Sequence, residues 1–301
     1  MFDKFLEHAS LTDDDESMTR FLHLINCLFY DLNSELEQQF EQSAYMDLAD
    51  FVKRNGEENT FISFNYDIWL EQALMRHGLF NPVVGYSKYS PFSYFIDVDR
   101  LEENVQPNQL RSVEPKGESM YVLKPNGSLS WWLADWPPGD GRIPRRQLFL
   151  TLTSGGQLSQ HRQPRIENIP EPNSPTLQTF AQPHIHPPTF SKSRNLELDW
   201  STDRQILEVL SRASTFIIIG WSMPKGDVHF SSLLHQTLID RMKSGCQPPR
   251  LIVCNLVTDG SYPRYRDLMF RLTSSFRAIH VADWSNGFSK KFVDFLSEHL
   301  R

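Results

Sequence analysis

Two polar turns that follow apolar stretches carry the residue types from which a nucleotide site could be built. Residues 60–64 (Thr-Phe-Ile-Ser-Phe) read as a short strand, and Asn65 and Asp67 follow it directly. A helix is predicted from Ile68, so both side chains fall between a strand end and a helix start. Small ligands bind at that edge of open α/β sheets, and free N–H groups at a helix start attract anionic groups such as phosphate.

The second turn ends a near-continuous apolar run over residues 215–220, which favours a strand covered on both faces. It holds Gly220, Ser222 and Asp227, and the helix predicted from Asp227 has a mainly one-sided apolar stripe. Two such strand–turn–helix units could form one nucleotide crevice, with Asn65 and Ser222 facing a shared cavity. Every α/β domain has turns of this kind, so a generic α/β fold stays open as the plainer interpretation.

Composition limits the partners that the chain can have. The 301 residues carry a net charge of −7, so bulk attraction to nucleic acid or to an acidic membrane is not expected. A local set of arginines lies in a Pro-rich region and is predicted to be a solvated loop; its members are Arg142, Arg145, Arg146, Arg162 and Arg165. Cys27, Cys246 and Cys254 are scattered, which predicts neither a disulfide framework nor a zinc site, and no metal is expected.

The chain shows no membrane or secretion signal at the level of sequence. No apolar run approaches the ~20 residues that a membrane helix needs, and the first residues are acidic without a long apolar segment. A cytoplasmic location without membrane association is therefore predicted.

Periodicity predicts helices at both ends of the chain and a less regular middle. Helices are predicted over 17–32, 34–40, 44–53 and 68–77, then over 202–212, from 227, over 265–272 and over 287–300. Strands are predicted over 60–64, 215–220, 251–256 and 276–281. Thirteen of the nineteen prolines lie between Pro107 and Pro188 and argue against long helices there. Short strands are predicted in that region at 121–124, 148–152 and 184–186, with an exposed loop over 157–174.

These elements predict a three-layer α/β fold around a mostly parallel, Rossmann-like sheet, because strands alternate with helices. We expect one domain over residues 1–301. Residues 1–57 would form its N-terminal helical part, and residues 82–190 an irregular Pro-rich insertion lobe over the ligand edge.

Five segments resemble, in order, motifs of the sirtuin-like family of NAD-binding proteins, in the bacterial branch often found in phage defence. They are residues 64–67 (Phe-Asn-Tyr-Asp), 122–131 (Val-Leu-Lys-Pro-Asn-Gly-Ser-Leu-Ser-Trp), 185–192 (Ile-His-Pro-Pro-Thr-Phe-Ser-Lys), 219–224 (Ile-Gly-Trp-Ser-Met-Pro) with Asp227 and His229 after it, and 253–255 (Val-Cys-Asn). The resemblance covers the chain from Thr60 to about Leu300 and implies a sirtuin-like fold.

The resemblance also implies a chemistry, the cleavage of the bond between nicotinamide and ribose in NAD. Asn65 would hold the ribose or the attacking water, and Asp67 would bind the carboxamide. Ser222 and Asn255 would contact phosphate or the adenosine ribose. Gly127, Ser128 and Gly220 lie in the matched segments and would belong to the nucleotide site.

Two departures from the family pattern predict impaired hydrolysis. No Gly-x-Gly-x-Ser loop precedes Asn65, although glycine lets the backbone approach phosphates closely. The family's histidine, a candidate general base, is Asn126 here, and an amide cannot take up a proton near pH 7. His161, His184 and His186 lie in the irregular region and could replace that histidine, but a lone histidine is more often a surface or core residue.

Plain structural roles remain open for the same residues. Asn65 could end a strand, Asp67 could cap a helix, and Ser222 and Asp227 could also be caps. Asn126 and Gly127 could form a hairpin turn between residues 122–123 and 129–131, because Asn-Gly is a strong turn signal.

Two functions follow as expectations. The first is an impaired NAD glycohydrolase domain that binds NAD or an ADP-ribose-like nucleotide. The second is a degenerate, non-catalytic subunit that acts through protein–protein interaction, as a homo-oligomer or with another protein, because a missing first strand would leave a sheet edge exposed. Nucleic-acid binding through the arginine set is the least expected.

Overall fold

The computed structural model describes residues 15–56, 58–86, 94–97, 111–112, 117–136, 145–153, 155–160, 165–167, 178–180, 182–185, 196–221, 228–247, 249–256 and 281–300. The helices are α1 (Asp15–Leu36), a 3-10 helix (Glu37–Gln42), α2 (Ala44–Asn55), α3 (Trp69–Arg76), α4 (Pro82–Gly85), α5 (Leu196–Arg212), α6 (Val228–Lys243) and α7 (Lys290–His299).

The strands of the described residues are mostly short. They are β1 (Thr60–Ile62), β2 (Tyr94–Asp97), β3 (Arg111–Ser112), β4 (Tyr121–Leu123), β5 (Gly127–Trp136), β6 (Arg145–Leu152), β7 (Arg165–Glu167), β8 (Gln178–Phe180), β9 (Gln182–Ile185), β10 (Thr215–Ile219), β11 (Arg250–Cys254) and β12 (Val281–Trp284). Helices with small parallel and mixed sheets make this an α/β protein, which confirms the coarse fold class.

The chain divides into two compact units. The first comprises Met1–Glu41 and Glu57–Asp199, and the second comprises Gln42–Gly56 and Trp200–Arg301. The predicted single domain over 1–301 stays a prediction.

The first unit contains three separate sheets among the described residues. β1 pairs in parallel with β4, β7 pairs antiparallel with β8, and five strands form a sheet in the order β3-β2-β6-β5-β9. In that largest sheet only β2 and β6 run parallel to each other. Phe21 and Ile25 of α1 pack against Leu129 of β5 and Ile185 of β9, which anchors the N-terminal half of the helix.

Within the described part of residues 82–190, the strands β5 and β6 pair antiparallel from Trp131↔Leu150 to Trp136↔Arg145, and β5 is a strand that the sequence does not predict. The insertion lobe itself stays a prediction. Prolines stand beside these strands in sequence rather than within them, and Pro183 lies in β9, an edge strand of the described sheet, where a missing N–H is tolerated. The predicted exposed loop is wrong in part, since Leu158 is buried and β7 lies inside the predicted range.

The second unit holds a three-stranded parallel sheet in the order β10-β11-β12, as predicted from the alternation of strands and helices. β11 is its buried centre. Ile217 of β10 is 37% exposed, so the prediction that this strand is covered on both faces is wrong. The guanidinium group of Arg241 in α6 donates to the carbonyl oxygens of Leu210, Ser211 and Ala213. It therefore provides hydrogen-bond donors for carbonyl groups at the C-terminal end of α5.

Most predicted elements are confirmed with shifts of a few residues at their ends. α2 closes at Gly56 as expected, with a left-handed φ of 66° and its N–H bonded to the carbonyl of Val52. The more polar helix predicted over 34–40 is the end of α1 followed by a 3-10 helix. The helix predicted over 265–272 lies outside the described residues, as does nearly all of the strand predicted over 276–281, whereas β12 begins at Val281.

Candidate functional site

The carboxyl ends of β1 and β4 lie at the same edge of a parallel pair. The register joins Ile62 to Leu123, and the Ser63 N–H extends the ladder by donating to the Leu123 carbonyl at 2.7 Å. The two chain segments that follow, residues 64–67 and 124–127, therefore leave the pair on the same side. These are the segments that carry Asn65, Asp67 and Asn126.

Hydrogen bonds fasten these two segments to each other. The Asn126 side-chain N–H donates to the Phe64 carbonyl at 3.1 Å, and the Leu129 N–H donates to the Tyr66 carbonyl at 2.9 Å. Lys124 Nζ donates to the Asp67 carbonyl. The structure thus brings together the first two motifs predicted from the sequence, although they are about sixty residues apart in the chain.

The turn at residues 124–127 is not a hairpin. The Gly127 N–H donates to the Lys124 carbonyl at 3.0 Å, but β4 pairs with β1 while β5 pairs with β6 and β9. The hairpin interpretation of Asn126 and Gly127 is therefore wrong, because the turn carries the chain from one sheet to another. Gly127 has a φ of 81°, and a β-carbon there would lie 2.0 Å from the His184 carbonyl oxygen, so only glycine fits.

Asn65 and Asp67 differ in what surrounds them. Asn65 is exposed, so its amide can reach a ligand in solvent. One carboxylate oxygen of Asp67, Oδ1, accepts the Trp69 N–H at 3.1 Å at the start of α3. Asp67 therefore has the cap-like contact that the plainer interpretation predicts, and this contact fixes one of its carboxylate oxygens.

A buried polar cluster lies directly beneath this edge. Lys124 Nζ lies 2.8 Å from Glu71 Oε1, and both side chains have 0% exposure. The Tyr86 hydroxyl donates to the same Glu71 oxygen at 2.8 Å. Burial, together with the neighbouring Glu71 carboxylate, raises the pKa of Tyr86 well above its ordinary value, so the phenol stays protonated and keeps donating.

Sequence reasoning missed this cluster. Lys124 enters the sequence predictions only within the motif over 122–131, and Glu71 does not enter them. A lysine between the apolar strand 121–123 and the turn was the one available signal, because a buried lysine requires a partner.

Ser128 and Gly127 are less accessible than a nucleotide contact requires. Ser128 has 0% exposure, and its hydroxyl lies 3.1 Å from that of Ser130. Both residues are buried, so neither lies open to a ligand in solvent.

The second unit has a corresponding edge of its own. Gly220 follows β10 with a φ of 68°, is exposed, and donates its N–H to the Cys254 carbonyl at 2.8 Å. Asn255 follows β11, and its side-chain oxygen accepts the Leu256 N–H at 2.9 Å. Gly220 and Asn255 are therefore neighbours at the carboxyl edge of this sheet.

Several predicted residues are not placed by these observations. Ser222 and Asp227 lie outside the described residues, so the shared cavity of Asn65 and Ser222 stays a prediction. His161 and His186 lie outside them as well. His184 is 4% exposed, and its ring stacks on Trp131 with the centroids 6.0 Å apart, which does not suit a base that must meet solvent-borne ligand.

Comparison with models of known protein families and with curated proteins finds no match to this sequence. The resemblance therefore rests on the motif residues of the sequence alone. Within the described part of the chain, no helix has the length and apolarity that a membrane span requires. Among the same residues, no group of three or more His, Cys, Asp and Glu side chains is arranged to hold a metal ion.

Proposed function

We propose that this protein is a sirtuin-like, NAD-binding protein derived from an NAD glycohydrolase, with the three-layer fold of that family and with hydrolysis that is weak or lost. The observation that supports this proposal most is the pairing of the segments 64–67 and 124–127 at the carboxyl edge of β1 and β4. By resemblance, its setting is phage defence in the cytoplasm.

The exposed edge of the first unit suits the ribose end of the nucleotide. Asn65 would hold the ribose or the attacking water, and Asp67 would accept from the carboxamide while its own Oδ1 stays fixed by Trp69. Three hydrogen bonds hold the loop in place before any ligand arrives, so little ordering is required on binding. By resemblance, Ser222 and Asn255 would contact phosphate or the adenosine ribose. Gly127 and Ser128 fit a supporting role better than a direct contact.

The reaction explains why the exchange of histidine for asparagine matters. The bond between the ribose carbon and the nicotinamide nitrogen breaks, and its electron pair leaves with nicotinamide. Water then bonds to the ribose carbon and must lose a proton. Asn126 cannot accept that proton, and its amide N–H is already bonded to the Phe64 carbonyl. Absence of a general base typically costs about 10²–10⁴-fold in rate.

Nicotinamide release from NAD tests the proposal. We expect slow turnover, close to the background rate, and tighter retention of ADP-ribose than of unrelated nucleotides. Asn126→His should raise the rate, because imidazole restores a base that titrates near neutral pH. Gln39→Ala is a matched surface control, since Gln39 is exposed on the 3-10 helix away from the site residues in sequence. Fast turnover that depends on Asn65 would refute the impairment, and no change in Asn126→His would remove Asn126 from the site.

A second candidate function is that of a non-catalytic subunit that acts through protein–protein contacts. Exposed leucines on α1 favour this function; they are Leu24, Leu28, Leu32 and Leu36. Multi-angle light scattering tests it directly, and a protein that stays monomeric while turning over NAD would argue against it.

A further inference from the structure

Lys124 contacts both sides of the corner at which residues 64–67 lead into α3. Its Nζ donates to the Asp67 carbonyl just before the helix and lies 2.8 Å from Oε1 of Glu71, which belongs to the first turn of the helix. Because Lys124 directly follows β4, these two contacts tie the start of α3 to the carboxyl end of that strand. The Lys124 side chain has 0% exposure, so it cannot itself touch a ligand in solvent.

Two side chains hold the loop over 64–67 at different ends. Asn126 donates to the carbonyl of Phe64, which directly precedes Asn65. Lys124 donates to the carbonyl of Asp67 itself. Hydrogen bonds from a charged donor are roughly twice as strong as those between neutral groups. Loss of the Lys124 contact should therefore release Asp67, while Asn126 still holds the end of the loop that carries Asn65.

The Lys124 contacts also bear on the Asp67 carboxylate. Asp67 Oδ1 accepts the Trp69 N–H at 3.1 Å, so the carboxylate is oriented relative to the start of α3. The start of α3 is in turn held to β4 through the pair of Lys124 and Glu71, in which each buried charge requires the other. The orientation of the Asp67 carboxylate thus depends on Lys124 through the backbone and through the helix.

We propose that Lys124 is a positioning residue of the nucleotide site, which holds the Asp67 carboxylate ready for the carboxamide of NAD and so raises the affinity for NAD relative to ADP-ribose. The inference rests on the proposed function, in which Asp67 accepts from the carboxamide. ADP-ribose has no nicotinamide, so it does not use this carboxylate. Loss of the Lys124 contact should weaken NAD binding about 10–100-fold and ADP-ribose binding less than about 3-fold, because one charge-assisted hydrogen bond orders the Asp67 end of the loop.

Titration calorimetry of the whole chain with each ligand tests this inference. Lys124→Met alone leaves the Glu71 charge buried, so the test uses Lys124→Met with Glu71→Met, which removes the contact to the Asp67 carbonyl without a lone buried charge. Tyr86→Phe is the matched control, because it removes a buried hydrogen bond to Glu71 Oε1 and leaves the Asp67 contact in place. It should bind both ligands as the wild type does. Circular dichroism shows whether each variant is folded.

The ratio of the two affinities separates positioning from a general structural effect. An equal loss for NAD and ADP-ribose in the folded double variant, or an unchanged affinity for NAD, would overturn the proposal. If the double variant does not fold, hydrogen exchange in the wild type decides. NAD should slow exchange of the Trp69 N–H more than ADP-ribose does, because the carboxamide adds a partner to the Asp67 carboxylate that holds this N–H. Equal slowing by the two ligands would overturn the proposal.

Hydrogen exchange without ligand distinguishes failure of this inference from failure of the proposed function. The Trp69 N–H should exchange at least about 10-fold faster in the double variant than in the wild type, and Tyr86→Phe should leave its rate unchanged. Unchanged exchange in the double variant would refute the positioning role whether or not a nucleotide binds. Faster exchange in a protein that binds neither ligand would instead refute the proposed function and leave Lys124 as a support of the loop alone.

Discussion

Replacement of Lys124 by methionine should strongly destabilise the first unit. Methionine keeps the volume and the flexible stem but removes the ammonium group that meets Glu71 Oε1 at 2.8 Å and the Asp67 carbonyl. The Glu71 carboxylate would then be buried with only the Tyr86 hydroxyl as its partner. Water cannot stabilise the remaining Glu71 carboxylate, because both side chains of the pair have 0% exposure.

The magnitude follows from that burial. Breaking a buried ion pair by removing one partner costs about 3–5 kcal/mol, because it leaves an uncompensated charge. An exposed pair is worth about 0–1 kcal/mol, so Arg54→Met, which removes the Arg54–Asp50 pair, is the control. A second change, Glu71→Met in the Lys124→Met background, removes the stranded charge. We expect the double variant to lose about 2 kcal/mol less than the sum of the two single variants, although Tyr86 loses its acceptor.

Urea denaturation followed by tryptophan fluorescence measures these differences, because the seven tryptophans include Trp131 and Trp132 of the buried strand β5. The reasoning would be refuted if Lys124→Met cost no more than Arg54→Met. It would also fail if the losses of the single and double variants added within about 0.5 kcal/mol, since that would show no coupling between Lys124 and Glu71.

Three further outcomes follow from the structure. Gly127→Ala should lower the free energy of unfolding, measured by urea denaturation, by about 3 kcal/mol or more, because a positive φ is combined with a clash against a backbone oxygen. Gly156→Ala is the control: Gly156 has a φ of 78° but open space around it, so the loss should be about 1–2 kcal/mol. Equal losses in the two variants would contradict the close approach at Gly127. Burial raises the pKa of Cys254 to about 12, so this thiol should not react with a thiol reagent until the protein unfolds. Cys246 is exposed and should react at once. Rapid labelling of Cys254 in the folded protein would be inconsistent with its burial. Burial lowers the pKa of His23, so the unfolded state binds the proton first as the pH falls, and the free energy of unfolding should decrease below about pH 6.5. His23→Gln should reduce this pH dependence in denaturation curves measured at several pH values. An unchanged pH dependence in His23→Gln would show that His23 does not cause it.

Local patterns predict the elements whose own residues decide their conformation. The apolar spacing of α1, the Asn-Gly end of α2 and the apolar runs of β10 and β11 are all readable because each signal lies within a few residues. The β5–β6 pairing could not be predicted in this way, because the prolines near these strands look like loop signals until the partner strand is known.

The candidate site likewise has a part that the sequence predicts and a part that it does not. Asn65 and Asp67 could be placed at a strand end from the sequence, and the structure places them there. The contacts that fix their loop could not be predicted, because Lys124 and Glu71 are 53 residues apart in the chain and nothing local pairs them. The pattern Asn-Gly favoured a hairpin, whereas the strands on either side of it pair with other partners.

Titration calorimetry with ADP-ribose and NAD tests the nucleotide proposal most directly. We expect both ligands to bind the wild type and Gln39→Ala, an exposed variant, to bind as the wild type does. Asn65→Ala should weaken binding about 10-fold, which corresponds to the loss of one hydrogen bond to the ligand. Absence of heat with either ligand, or equal affinities in Asn65→Ala and the wild type, would contradict a nucleotide site at the edge of β1 and β4.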